Sequence, residues 1–115
     1  MADGTVLGVT PTSKDIEMTQ KHVVELVKWT ALGGVADAKM IDAVNRLLPD
    51  LKTLPGFVKQ DLYKDDDGQW VDLYIWDNRE DALASNDLMA PKPSFAGLMS
   101  LIDPASITIE FLNLP

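Results

Sequence analysis

The chain has 115 residues and a formal net charge of −8, and 46% of its residues are hydrophobic. This length fits one domain, and the apolar fraction is enough to build a core. There is no cysteine, which excludes a disulfide framework, a thiolate metal site and a cysteine nucleophile. An acidic surface repels the phosphates of nucleic acids, so we expect no nucleic-acid partner.

Membrane insertion and secretion are not expected either. No apolar run approaches the roughly 18 residues that span a bilayer, and Met1 to Lys21 lacks the apolar segment of a secretory signal. We therefore expect a cytoplasmic protein with no membrane partner. Residues 1–20 form a polar N-terminal extension whose composition alone favours disorder. Its apolar patch, Val6-Leu7-Gly8-Val9, predicts docking on the body of the protein or on a partner subunit.

The domain itself is expected over residues 21–115, and its first strand over His22–Trp29, where β-branched and aromatic residues lie on both faces. Gly33-Gly34 ends this strand. Asp37 is the predicted N-cap of a helix with an apolar stripe at helical spacing. The stripe contains Met40, Ile41, Val44, Leu47, Leu48 and Leu51. Pro49 falls inside the stripe and should kink or end the helix.

A hairpin is predicted next. The second strand covers Phe57–Lys64, and the third covers Gln69–Trp76. Asp65-Asp66-Asp67-Gly68 lies between them, and Asp-Gly between two apolar runs is a strong hairpin signal because glycine accepts the positive φ of the turn.

The rest of the chain predicts a second helix and a last strand. Asp77-Asn78-Arg79-Glu80 has the spacing of a capping box, and the helix should run from there to about Met89. Pro91 and Pro93 break the chain, a short helix covers Ser94–Leu101, and Ile107–Leu112 is the last strand. The order βαββαβ predicts an α+β, ferredoxin-like fold, with an antiparallel four-stranded sheet and the helices on one face.

The third strand carries the first candidate site residues. Because side chains alternate along a strand, Trp70, Asp72, Tyr74 and Trp76 share one face. This face has two interpretations: it stacks a planar ligand and orients its hydroxyl, or it packs inside a dimer. Packing is favoured for most of these residues. Asn86 lies near the apolar stripe of the second helix, where it either points into a pocket or sits at the edge of the stripe.

His22 is the only histidine. It is a candidate general base, although a histidine at the start of a strand is more often an ordinary polar residue without a catalytic role. One histidine without clustered partners makes a poor transition-metal site. Asp65-Asp66-Asp67 lacks the spaced ligands of a calcium loop, and no phosphate-binding or dinucleotide motif is present. We therefore expect no metal and no cofactor.

The middle of the chain resembles a known family. Four segments follow one another in the pattern of that family, namely Leu54-Pro-Gly-Phe-Val58, Asp67-Gly-Gln-Trp-Val-Asp72, Trp76-Asp-Asn-Arg-Glu-Asp-Ala82 and Leu101-Ile-Asp-Pro104. They are similar to the dimeric α/β-barrel superfamily, on the side of the antibiotic-biosynthesis-monooxygenase-like proteins, over roughly residues 22–112. The resemblance implies a homodimer in which two sheets pack face to face. The apolar second face of the sheet agrees with such a partner.

The same superfamily includes cofactor-free quinone-forming monooxygenases, haem-degrading enzymes and isomerases, so the resemblance fixes no single activity. Haem-degrading relatives carry a histidine ligand that the stretch 79–101 lacks. The first hypothesis is a cofactor-independent monooxygenase for a small aromatic or polyketide-like compound. Its candidate catalytic residues are Tyr74, Asp72 and Asn86, and its candidate substrate-binding residues are Trp70, Trp76 and His22. The second hypothesis is a non-catalytic dimeric module that binds a small apolar ligand or serves in a stress response. A closed pocket with two or more polar groups would favour the first, and a filled interior the second.

Overall fold

The computed structural model describes residues 22–115. The N-terminal extension, with the docking predicted for Val6-Leu7-Gly8-Val9, lies outside the described residues. Within them, one antiparallel sheet of four strands carries the helices on a single face. This is the α+β, ferredoxin-like architecture predicted from the sequence, and the prediction is confirmed.

The elements follow the predicted order. They are β1 (Val23–Trp29), α1 (Asp37–Asn45), α2 (Leu48–Leu51), β2 (Phe57–Lys64), β3 (Trp70–Trp76), α3 (Arg79–Met89), α4 (Pro93–Met99), a 3-10 turn (Pro104–Ser106) and β4 (Thr108–Asn113). The strands lie in the order β2-β3-β1-β4, and every neighbouring pair is antiparallel. The first and third strands therefore form the centre of the sheet.

The two central strands alternate between a buried face and a half-buried face. In β3 the buried residues are Trp70, Asp72, Tyr74 and Trp76, so the predicted aromatic row does share one face. The register of β1 against β3 places Glu25 opposite Tyr74 and Trp29 opposite Trp70 on that same face. The aromatic row is thus continued by β1.

The helices of the same chain cover this face. Their buried side chains and Leu47, which lies between α1 and α2, join the indoles of the sheet in one core; the helical members are Met40, Val44, Leu51, Ala82, Met89 and Leu98. The interpretation of the row as packing between two subunits is therefore wrong, because its own helices occupy that space. The opposite face carries half-buried apolar residues at the centre of the sheet, namely Val24, Leu26, Val71, Leu73 and Ile75. None of the described helices packs there.

The first helix begins and ends differently from the prediction. Its N-cap is Ala36, and Asp37 is the first helical residue. The carboxylate of Asp37 accepts a hydrogen bond from Lys64 Nζ at 2.8 Å. This side chain was expected to cap the helix, and it binds a lysine of β2 instead. The predicted stripe is also divided between two helices, because α1 ends at Asn45 and Pro49 lies at the start of α2. Backbone N–H groups in the first turn of a helix have no partner within the helix, so proline, which lacks this group, costs no hydrogen bond there.

The N-cap of α3 lies one residue later than predicted. Asn78, not Asp77, is the N-cap, and its side-chain oxygen accepts from the backbone N–H of Asp81 at 2.8 Å. The backbone N–H of Asp77 instead donates to the carbonyl of Gly56 at 2.7 Å. This bond joins the entry of β2 to the start of α3.

The predicted hairpin is present between β2 and β3. Gly68 has φ +84°, and its N–H donates to the carbonyl of Asp65 at 3.0 Å. One carboxylate oxygen of Asp65 accepts from the backbone N–H groups of Asp67 and Gln69, at 3.0 and 2.9 Å. The acidic run is therefore part of the turn.

Candidate functional site

A cavity of about 280 Å³ lies between the sheet and the helices. Most of its wall is apolar, with contributions from Val27, Leu47, Leu51, Met89, Phe95 and Ile109. The lining residues whose side chains carry nitrogen or oxygen are Glu25, Trp29, Tyr74, Trp76, Ser85 and Asn86. An apolar cleft with a few convergent polar groups is the usual form of a small-molecule site, and the volume is just below the roughly 300–1,000 Å³ range of such sites.

Glu25 is the acid of the cavity wall. It lies in β1 between Val23 and Val27 on the helix-covered face, and it is 2% exposed. Its Oε1 accepts a hydrogen bond from Trp76 Nε1 at 2.9 Å. Burial raises the pKa of Glu25 to about 7, with the charge of Asp72 adding to the rise and the Trp76 bond opposing it. A carboxyl with a pKa near neutrality is well suited to take up and return a proton.

Asp72 lies behind the wall and is completely buried. Tyr74 donates its hydroxyl hydrogen to Asp72 Oδ2 at 2.5 Å, and Gln60 donates from Nε2 to Oδ1. Burial raises the pKa of Asp72 to about 6, although both hydrogen bonds lower it. Burial, and then the neighbouring charge of Asp72, raise the pKa of Tyr74 well above 10. The Tyr74 hydroxyl therefore stays protonated and points its hydrogen at Asp72.

The structure brings only some of the predicted site residues together. Tyr74, Trp76 and Asn86 line the cavity, and Asp72 touches it only through Tyr74. Asn86 is exposed on the surface of α3 and also forms part of the cavity wall. The cavity lies where the ligand site was predicted, between the sheet and the helices. The roles assigned to these residues stay predictions.

Two of the predicted residues lie elsewhere. Trp70 is buried in the core, with Lys64 Nζ 5.0 Å from the centre of its ring. His22 precedes β1, and its Nε2 lies 3.6 Å from Asp77 Oδ1. Neither residue is in the cavity wall, so the structure does not unite them with Tyr74 and Asn86.

Three lining residues with nitrogen or oxygen in the side chain were missed by sequence reasoning. Glu25, Trp29 and Ser85 are buried and line the cavity. A signal for Glu25 was present in the sequence: strand alternation puts it on one face with Val23, Val27 and Trp29, and a lone acid among apolar residues on a buried face is rare. Trp29 and Ser85 carry no comparable signal, because tryptophan and serine are ordinary residues of buried faces and helices.

Nothing in residues 22–115 forms a group of three or more histidine and acidic side chains with the arrangement of a metal site. Over the same residues, no helix has the length and apolar character to cross a membrane.

Comparison with known proteins finds similar solved structures but no similar curated sequences. No family model and no curated protein matches the sequence. Among solved structures, SnoaB, a cofactor-independent oxygenase from Streptomyces nogalater, superposes with a TM-score of 0.64 at 17% identity, over 83% of this chain and 94% of the other. A candidate antibiotic biosynthesis monooxygenase from Bordetella bronchiseptica gives 0.71 at 10% identity, over 84% and 99%.

The similar structures also include proteins without an assigned role. A protein of unknown function from Nitrosomonas europaea superposes with a TM-score of 0.65 at 16% identity, over 84% of this chain and 91% of the other. Identities this low carry information about the fold only. The chain thus has the ferredoxin-like fold of the antibiotic-biosynthesis-monooxygenase-like structures, as its sequence motifs predicted.

Proposed function

We propose that this protein is a cofactor-independent monooxygenase that oxidises a small planar hydroxyaromatic compound in the cavity beneath the helices. The observation that carries the proposal is Glu25, a buried carboxyl with a pKa of about 7 in the wall of an apolar cavity. Such a group is a general base poised for use at neutral pH. The similarity in fold to a cofactor-independent oxygenase supports the same activity.

The chemistry requires little from the protein besides a base and a dry cavity. Glu25 removes a proton from the substrate, and the resulting anion passes one electron to O₂. The substrate radical and superoxide then form a carbon–oxygen bond, and the proton returns from Glu25 to give a hydroperoxide. The O–O bond of the hydroperoxide then breaks and the same carbon loses its remaining hydrogen, so one oxygen atom stays as a carbonyl on that carbon and the other leaves as water. Exclusion of bulk water strengthens each electrostatic interaction along this route.

The alternative function is a non-catalytic module that binds the same class of ligand. One observation favours it: among the described residues that line the cavity, Glu25 is the only carboxyl group, and there is no histidine, lysine or arginine. An oxygenase consumes O₂ when its ligand is bound, whereas a binding module does not.

An oxygen electrode separates the two functions. Wild-type protein mixed with 9-hydroxyanthracene, an easily oxidised planar phenol, should consume O₂ faster than buffer alone. Glu25→Gln should lower kcat by about 100-fold, because a positioned base contributes roughly 10² to 10⁴. Glu80→Gln on the exposed first turn of α3 is the matched control and should keep the wild-type rate. Binding without oxygen consumption would support the alternative, and full activity in Glu25→Gln would contradict the role of the base.

A further inference from the structure

The hydroxyl and indole hydrogens in the cavity wall are mostly committed to partners within the protein. Ser85 Oγ donates to the carbonyl of Ala82 at 2.7 Å, and Tyr74 donates to Asp72 at 2.5 Å. The indole N–H of Trp76 donates to Glu25 at 2.9 Å. A hydroxyl whose single hydrogen is already donated offers only lone pairs to a third group. Ser85 and Tyr74 therefore present acceptors to the cavity.

Glu25 adds a further acceptor beside Tyr74. Its Oε2 forms no hydrogen bond to any of the residues from 22 to 115, and an ionised carboxylate accepts but does not donate. Glu25 and Tyr74 are direct partners across the central strand pair, which places their Cβ atoms roughly 4.5–5.5 Å apart. Two acceptors thus lie side by side in the sheet wall.

Donors are scarce among the residues that line the cavity. Asn86 lines the cavity and has an amide that can donate, but this residue is exposed to solvent. The indole nitrogen of Trp29 is fully buried and has no hydrogen-bond partner among the described residues. Because this nitrogen is buried, the polar groups that remain to pair with a ligand are chiefly the lone pairs of Glu25, Tyr74 and Ser85.

From this arrangement we infer that the cavity discriminates between oxidation states: it binds an aromatic ligand in its hydroxyl form and rejects the corresponding carbonyl form. This inference rests on the proposed function and assigns its specificity. A ligand hydroxyl donates a hydrogen bond to Glu25 or Tyr74. A ligand carbonyl oxygen has no hydrogen to donate, so its lone pairs face those of Glu25 and Tyr74, and neither the carbonyl nor these acceptors form a hydrogen bond. Sites with buried polar groups discriminate strongly against a ligand that cannot pair with them. Oxidation of the bound ligand would therefore itself promote release of the product.

Binding measured without oxygen tests the inference separately from catalysis. Isothermal titration in anaerobic buffer at pH 8 compares 2-naphthol with 2-methoxynaphthalene, which keeps the ring and the oxygen but lacks the donor. We expect 2-naphthol to bind about tenfold more tightly, the effect of one hydrogen bond to a charged acceptor. 1,4-Naphthoquinone should bind no better than the methoxy compound. Equal affinities, a reversed order or no binding of 2-naphthol would overturn the inference.

The Glu25→Gln variant replaces a hydrogen-bond acceptor of the cavity wall by a donor. Trp76 N–H needs an acceptor, so the new amide oxygen takes the place of Oε1 and the amide N–H₂ takes the place of Oε2. The tenfold preference for 2-naphthol should disappear, and 2-methoxynaphthalene should bind more tightly than it does to wild type. Glu80→Gln should keep the preference, and an unchanged preference in Glu25→Gln would overturn the inference.

Tyr74→Phe provides a second test if Glu25→Gln does not fold. It removes the neighbouring acceptor while keeping the ring, and it should reduce the preference for 2-naphthol several-fold. Tyr63→Phe, on an exposed tyrosine of β2, is its control and should behave as wild type. Equal preference in both tyrosine variants would count against the inference. Oxygen consumption plays no part in these titrations, so their failure and the failure of the proposed reaction are distinguishable.

Discussion

Glu25 and Asp72 are two carboxyl groups that the fold buries on one face of the central strands. Burial is the largest cause of the raised pKa in both cases, and each charge raises the pKa of the neighbouring acid or tyrosine. Their hydrogen bonds from Trp76, Tyr74 and Gln60 oppose this effect only in part. The protein thus carries buried acids whose ionisation opposes folding, a common feature of functional sites.

This burial predicts how stability depends on pH. Glu25 has a pKa of about 7 in the folded protein against its usual 4.5, so between these values the folded state holds more protons than the unfolded state. The contribution of Glu25 to the free energy of unfolding therefore falls as pH rises from about 4 to 7 and is constant above that range. The contribution of Glu25 is at most about 3 kcal/mol, from 1.36 kcal/mol for each pKa unit.

Urea denaturation at pH 5 and pH 8 measures this effect. Glu25→Gln keeps the acceptor for Trp76 but does not ionise, so its stability should fall less between the two pH values than that of wild type. Glu80→Gln changes the same charge on the surface and should follow wild type. If the free energy of unfolding fell equally in Glu25→Gln and in wild type, the pKa of Glu25 would not be raised in the folded protein.

At the scale of elements, the junction between β2 and α3 positions one wall of the cavity. Gly56 has φ +75°, and its carbonyl accepts from the N–H of Asp77 at 2.7 Å, one residue before the N-cap. A Cβ atom at Gly56 would overlap the side chain of Asp81. The start of α3 therefore packs directly on the glycine, and α3 carries Ser85 and Asn86 into the cavity wall.

Gly56→Ala should consequently destabilise the protein by about 2 kcal/mol or more. A left-handed backbone costs a non-glycine residue roughly 1–2 kcal/mol, and the contact with Asp81 adds to it. Gly97→Ala is the matched control, because Gly97 lies inside α4 with open space at its Cβ position; alanine there should be neutral or stabilising by up to about 1 kcal/mol. Chemical denaturation would contradict this account if the two variants were equally stable.

For the whole molecule, the apolar residues on the open face of the sheet indicate a partner. Leu26 and Leu73 face each other across the two central strands, with Val24, Val71 and Ile75 beside them. Helices cover only the other face, and large exposed apolar patches are rare on monomers. We propose that a second copy of the chain covers this face, as the family resemblance implied.

The mass of the protein in solution checks this proposal. Light scattering at micromolar concentration should give twice the chain mass for wild type. Leu73→Lys places a charge at the centre of the open face and should give a monomer, because an unpaired buried charge is costly. Leu83→Lys changes a leucine that is 54% exposed on α3 and should stay dimeric. A monomeric wild-type protein would contradict the proposal.

Local patterns were enough to predict most of the fold. The hairpin at Asp65 to Gly68 and the shared face of Trp70, Asp72, Tyr74 and Trp76 follow from turn geometry and strand alternation, which involve only near neighbours in sequence. The errors lie where two adjacent residues compete or where a distant residue intervenes. Asp77 and Asn78 are both good cap residues, and the bond from Asp77 to Gly56 decides between them.

The sequence by itself determined which side chains share a face, because alternation is a property of the strand. It did not determine which face the helices cover, since both faces of the central strands are apolar and the choice depends on how the crossovers pack. The tertiary structure decided this, and with it the environment of Glu25. Only after α3 and α4 pack over β1 and β3 does an ordinary strand glutamate become a buried acid in a cavity wall, because its pKa depends on desolvation by residues far away in the sequence.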